Sequence, residues 1–225
     1  MKNIPRVRIN PTDTSQPVMV ENVVRKQQCQ TEWCWAACAQ MALAAGRQPA
    51  VCQCEMANRI FNKVKCCDEP GSSDCNNGCK PDQVTDLYDK LNIHVNPRQP
   101  LPVPTAGGDV QNIMQMILNE IPEGNAGARR PVEIHFEVGG GSHVVMVTGW
   151  ARDDQNGLRF FVIDPWRQRD SRMYNANALS TLAGSVLGGN SIIKWANMWT
   201  GIQPKQTKNN GNVSISGCPR PSEDR

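Results

Sequence analysis

A helix with a cysteine at its mouth constrains this chain more than any other feature. From Trp33 to Ala45 almost every residue favours a helix, with alanines and apolar side chains recurring at three- and four-residue intervals. The stretch before it is polar, so the helix is predicted to begin at or just before Cys34. A thiol there faces unpaired backbone N–H groups and the positive end of the macrodipole, and both favour the thiolate. Cys38, one turn further on, stands where a buried structural thiol belongs. Cys34 is therefore the candidate nucleophile.

A thiolate nucleophile needs a base, and the chain has three histidines. His94 lies in a short segment between a helix and a proline-rich stretch and reads as a partly exposed strand or loop residue. His135 alternates with Ile134 and Phe136, so if those two face the core it points to solvent with Glu133 and Glu137. His143 differs. Glycines at 139 to 141 and Ser142 lead to it, and the apolar strand Val144–Trp150 follows. Glycine before a strand leaves room for a ligand backbone.

A second strand, Leu158–Ile163, stops at Asp164-Pro165, and the polar connection Ala151–Gly157 ends in Asn-Gly, a turn signal. A hairpin centred between Asp153 and Asp154 sets His143 directly opposite Asp164. Opposed Cβ atoms lie about 4.5–5.5 Å apart, close enough for a carboxylate to hold an imidazole, and a bulge would shift this register. Cysteine, histidine and carboxylate supply a nucleophile, a base and an orienting group.

With Cys34-Trp35, the Gly-rich entry to His143 and Asp164-Pro165-Trp166, the chain resembles the papain-like cysteine proteases. The likeness is to compact bacterial members, among them bacteriocin leader peptidases and proteases injected by plant pathogens. It spans roughly residues 28 to 166. It implies that a glutamine just before the nucleophile donates to the oxyanion; Gln28 matches that place, with Gln27 and Gln30 close by. It also implies that the aromatic two residues after the orienting acid, here Trp166, shields the acid–histidine bond, and that Trp35 supports the nucleophile. Thr31 and Glu32 stand where plant and lysosomal relatives carry Cys-Gly, the third member is Asp in place of the plant Asn, and the Cys34–His143 spacing is shorter. These departures place the chain in the short bacterial branch.

The activity implied is hydrolysis of a protein or peptide substrate by an endopeptidase with a Cys34-His143-Asp164 triad and no cofactor or metal. The same order of groups serves transglutaminases, arylamine acetyltransferases and cell-wall amidases, so acyl transfer is the alternative. A non-catalytic cysteine-rich binding module is a further one.

Ten cysteines is a high count, and seven fall between 38 and 79. The polar stretch 51–80 reads as a disulfide-stapled insertion, because cross-links reduce the entropy of an unfolded loop that lacks periodicity. Zinc is the rival reading, although no repeated Cys-x2-Cys pattern supports it. With Cys34 kept free nine thiols remain, so one more is unpaired within a monomer, Cys218 and Cys38 being the foremost candidates. The net charge of +3 is too small to argue for nucleic acid. Arg167, Arg169 and Arg172 read first as a solvated face and second as a preference for acidic substrate residues. No apolar run is long enough to cross a membrane. Disulfides imply an oxidising compartment, yet the basic start Met1–Arg8 has no apolar h-region. A protein secreted or delivered outside the producing cell as an effector or toxin fits both; a cytoplasmic enzyme with reduced thiols is the alternative. The stretch before Gln28 is short for an inhibitory propeptide, so control falls to an inhibitor or immunity protein. A monomer is expected.

Residues 1–22 are expected to be extended, with Val18–Val20 pairing at a sheet edge, and residues 23–202 to form one domain. Helices are predicted near 55–62, over 82–91 and over 110–118, and strands near 131–138, 143–150, 158–164 and 191–202. Helices first and antiparallel strands afterwards give an α+β class, with the helical part that carries the nucleophile packed on a C-terminal sheet. The polar stretch 203–225 reads as a disordered tail.

Overall fold

The apolar run Val144–Val147 has no polar residue on either side of its strand, the mark of a strand covered on both faces. The computed structural model of the chain, which describes residues 16–101, 107–138, 141–153, 157–166, 172–175 and 193–205, bears this out. Helices α1 (Cys34–Ala45), α2 (Gln53–Phe61) and α3 (Pro81–Lys90) come first, and α4 (Gly107–Glu120) follows two short strands. The strands are β1 (Val18–Met19), β2 (Ile93–His94), β3 (Gln99–Pro100), β4 (Val132–Val138), β5 (Gly141–Arg152), β6 (Leu158–Ile163), β7 (Arg172–Asn175), β8 (Ile193–Trp199) and β9 (Gln203–Pro204). A seven-stranded antiparallel sheet runs β3-β8-β4-β5-β6-β7, with β1 also paired to β5. The class is α+β, as expected.

Alternation along β5 divides the core. Val144 and Met146 pack with Trp35, Cys38 and Met41 of α1, whereas Val145 and Val147 pack with Ile113 and Ile117 of α4. Fully burying an aliphatic side chain contributes about 1.5–3 kcal/mol, so two covered faces roughly double what a one-sided sheet of this size gains.

The covered faces correct one expectation. His135 pairs with Val144 and Glu133 with Met146, so both point towards the face covered by α1 and α3 instead of to solvent. Both are buried. Asn197 Nδ2 lies 3.0 Å from His135 Nδ1, and the Tyr88 hydroxyl donates to Glu133 Oε2. Burial holds the His135 imidazole below its ordinary value and pushes the Glu133 carboxyl up to about 8, against the lowering effect of the Tyr88 bond.

The insertion after α1 is stapled as expected, by Cys54–Cys67 and Cys66–Cys75, and Cys52 is disulfide-bonded too. Those cysteines are unavailable to zinc. Cys38 remains a thiol, and so does Cys79, which the sequence did not single out; Cys218 lies outside the described residues. Gln203–Pro204, assigned to the tail, pairs with Ile93–His94. Residues 1–15 and 206–225 lie outside the described residues. Among the described residues no helix is long and apolar enough to cross a membrane.

Candidate active site

Cys34 is the first residue of α1, and the residue before it, Trp33, makes no side-chain capping bond. No acidic residue occupies the first turn. The leading N–H groups thus have neither an intrahelical partner nor a capping carboxylate, and their partial positive charge gathers at the helix mouth where Cys34 stands. Cys38 is the contrast. Its thiol lies 3.7 Å from the Val144 carbonyl, fully buried, and desolvation pushes it well above the usual thiol range, helped by the charges of Glu133, Cys34 and Asp164. One helix therefore carries one thiol at its mouth and one sealed in the core.

His143, at the start of β5, and Asp164, just past β6, are 4% and 3% exposed. His143 Nε2 stands 2.8 Å from Asp164 Oδ1. Cys34 is close enough to His143 to act on its protonation, and it favours the charged imidazole. With Nε2 facing the carboxylate, Nδ1 is the ring nitrogen left for the sulfur. Burial disfavours the imidazolium, but the Asp164 bond and the interaction with Cys34 outweigh it and raise the histidine to about 9.

A β-bulge sets this alignment. Near the turn Arg152 pairs with Leu158 and Gly149 with Phe161, but beyond it Val147 pairs with Val162 and Met146 with Ile163. Thr148 is the extra residue. Asp164, directly after Ile163, therefore takes its place from the shifted register beyond the bulge and not from the register at the turn. The connection runs from Asp153 to Gly157, later than the centre expected from sequence, so the two residues are diagonal neighbours two positions off the direct opposition predicted. The expected pair meets through a different register.

The carboxylate is held from two sides. Trp166 N–H donates to Asp164 Oδ1 at 2.9 Å, and the edge-to-face Trp166 ring lies 6.3 Å from the His143 ring. Trp166 itself is 39% exposed, so it covers the bond from outside. Arg25 Nη2 donates to the Trp166 carbonyl at 2.9 Å, and Gln28 N–H to the Pro165 carbonyl at 2.9 Å. The segment before the nucleophile thus clasps the loop carrying the acid.

Gln28 is buried within that clasp. Its Nε2 donates to the carbonyls of Gln30 at 2.9 Å and Thr31 at 2.7 Å, while Oε1 meets no donor among the described residues. Two carbonyls at those distances require the amino group there. Both N–H bonds of the residue expected to serve the oxyanion are therefore engaged in the turn before Cys34. Gln53, which the sequence did not bring forward, fixes this segment: its Oε1 accepts from Cys29 N–H at 2.8 Å and its Nε2 donates to Gln27 O at 2.8 Å. A polar residue one position into a helix gives no signal of such a role.

Trp35, expected to support the nucleophile, is buried, with its indole N–H on the Asn77 carbonyl at 3.1 Å and its ring edge-to-face with Phe61. His94 is exposed on β2, away from the site. Gly139, Gly140, Arg167 and Arg169 lie outside the described residues.

Comparison with known proteins adds one finding. The family model described as "Peptidase_C39 like family" matches residues 20–186, about three quarters of the chain. The match takes in all of the elements just described around Cys34, His143 and Asp164. No curated protein matches.

Proposed function

Because the chain belongs to the Peptidase_C39-like family and is thereby a cysteine peptidase, we propose that it cleaves internal peptide bonds of a protein substrate through Cys34, His143 and Asp164. The observation that carries the reading is a single buried imidazole held by a carboxylate 2.8 Å away and interacting with the thiol at a helix start. The thiolate of Cys34 attacks the peptide carbonyl carbon, forming a C–S bond and an oxyanion. His143 then gives its proton to the amine nitrogen as the C–N bond breaks. Water, deprotonated by His143, attacks the thioester; the acid leaves and the thiol is restored. Asp164 keeps Nε2–H bonded, so that Nδ1 faces the sulfur throughout.

The Cys34 backbone N–H is the first oxyanion donor in this scheme. Gln28 becomes the second by exchanging one of its two carbonyl bonds for the oxyanion. Losing one such donor costs about 3 kcal/mol of barrier, roughly a hundredfold in rate.

The three groups lie in one chain, which supports action as a monomer. The disulfides Cys54–Cys67 and Cys66–Cys75 support an oxidising destination, and with it release or delivery outside the producing cell as an effector or toxin. Restraint then falls to a partner inhibitor or immunity protein. The deciding experiment compares protein termini in a cellular extract treated with the wild type and with Cys34→Ala. New termini that require Cys34 are expected; cross-linked or amidated side chains in their place assign acyl transfer, and no Cys34-dependent product overturns the reading.

A further inference from the structure

The stapled insertion reaches the nucleophile through three consecutive residues. Trp33 and Trp35, which flank Cys34, send their indole N–H groups to the carbonyls of Cys75 at 2.8 Å and Asn77 at 3.1 Å. Between these, the Asn76 side chain grips the turn that precedes the helix. Its Oδ1 accepts from Glu32 N–H at 3.0 Å, and its Nδ2 donates to Thr31 Oγ1 at 2.9 Å. Thr31 is also the residue whose carbonyl takes a Gln28 bond.

The grip has a fixed anchor. Cys75 is fully buried and bonded to Cys66, whose N–H donates to Asn58 Oδ1 of α2 at 2.9 Å. The neighbouring Cys67 is bonded to Cys54, also on α2. A loop of polar, turn-forming residues without a core of its own is held by these bonds at one end and spends its free polar groups on residues 31 to 35. A merely solvated insertion has no need of this arrangement, since bonds from its surface to water would serve equally well.

We propose that Asn76 is a positioning residue for the nucleophile, and that the Cys66–Cys75 disulfide holds it in place. It rests on the peptidase reading and acts through Cys34. With Thr31 and Glu32 fixed, α1 starts at Cys34 with its leading N–H groups directed at the sulfur and the sulfur within reach of His143. With them loosened, the helix start frays and the thiol loses both partners.

The test follows alkylation of Cys34 by iodoacetamide across pH, site-resolved by mass spectrometry, because that readout needs no substrate. Asn76→Ala is expected to slow alkylation near neutral pH about tenfold and to move its midpoint to higher pH, while thermal unfolding changes little, since the side chain is half-exposed. Asn76→Asp keeps an acceptor for Glu32 N–H and for the Thr31 hydroxyl as donor, and should stay within about threefold of the wild type. The double variant Cys66→Ala, Cys75→Ala should resemble Asn76→Ala; if it fails to fold, as judged by near-ultraviolet circular dichroism, the Asn76 pair decides alone. Wild-type rate and midpoint in Asn76→Ala overturn the inference while leaving the peptidase intact. A wild-type Cys34 whose reactivity is indifferent to His143→Ala overturns both.

Discussion

Asp164 reaches His143 diagonally across the β5–β6 hairpin, 2.8 Å from Nε2, because Thr148 is inserted between the two registers of that pair. The same carboxylate oxygen takes the Trp166 N–H. An amide at 164 preserves an acceptor for both donors but removes the charge, whereas alanine removes both. Asp164→Asn should keep a tenth or more of kcat/KM, and Asp164→Ala should lose about a hundredfold, the scale of a lost orienting group. Steady-state kinetics on a cleaved peptide, with the two variants side by side, checks this; equal losses would contradict the orienting role.

His143 is raised to about 9, and the Asp164 bond is the largest of the effects that raise it. A base whose folded value lies above its unfolded one stabilises the fold fully below about 6.5, and that stabilisation disappears as pH rises through about 9. The imidazolium that must protonate the leaving amine disappears over the same window. Activity should therefore fall on the alkaline side near pH 9 in the wild type, and the fall should begin at lower pH in Asp164→Asn. A pH profile of kcat/KM reads it directly.

Glu133 gives the same sign from the opposite chemistry, an acid held neutral in place of a base held charged. Its buried carboxyl is pushed up to about 8 by desolvation, so the folded state holds a proton that the unfolded chain has released. Stability must fall as pH rises between about 4.5 and 8, by at most about 1.4 kcal/mol per pH unit. Glu133→Gln keeps an acceptor for the Tyr88 hydroxyl and removes the titration. Its melting temperature should match the wild type near pH 5 and exceed it above pH 8. A parallel fall in both proteins would rule Glu133 out as the source.

The sequence exposed the chemistry more readily than the packing. Cys34, His143 and Asp164 were visible because a thiol at a helix start, a histidine after glycines and an acid at a strand end are local patterns. Glu133 and His135 were misplaced because alternation states which residues share a face but not which faces are covered; that depends on α1, α3 and α4, which lie far away in sequence. The hairpin register was off for a related reason. A bulge such as that at Thr148 leaves no mark in composition, and the turn is centred later than the expected midpoint between Asp153 and Asp154. Gln53 and Asn76 were invisible as ordinary polar residues, since their roles come from tertiary hydrogen bonds to the segment around Gln28 and Cys34.

Gly149 closes the bulge from the other side. A Cβ there would lie 2.6 Å from the Val18 carbonyl and 2.4 Å from Met19 Sδ. The Met19 side chain can turn away, but the carbonyl belongs to β1, whose residues pair Val18 with Trp150 and Met19 with Gly149, and whose continuation bonds Val20 N–H to the Thr148 carbonyl at 2.8 Å. Any side chain at 149 must therefore push β1 from the edge it protects and loosen the bonds that fix the bulge. Gly149→Val should destabilise the fold by about 1–3 kcal/mol, the range for overpacking. It should also reduce kcat more than it raises KM, since what shifts is the alignment of Asp164 with His143 and not the path of the substrate. Denaturant melts paired with steady-state kinetics separate the two effects; loss of stability with kcat unchanged would mean that the bulge holds its register without β1.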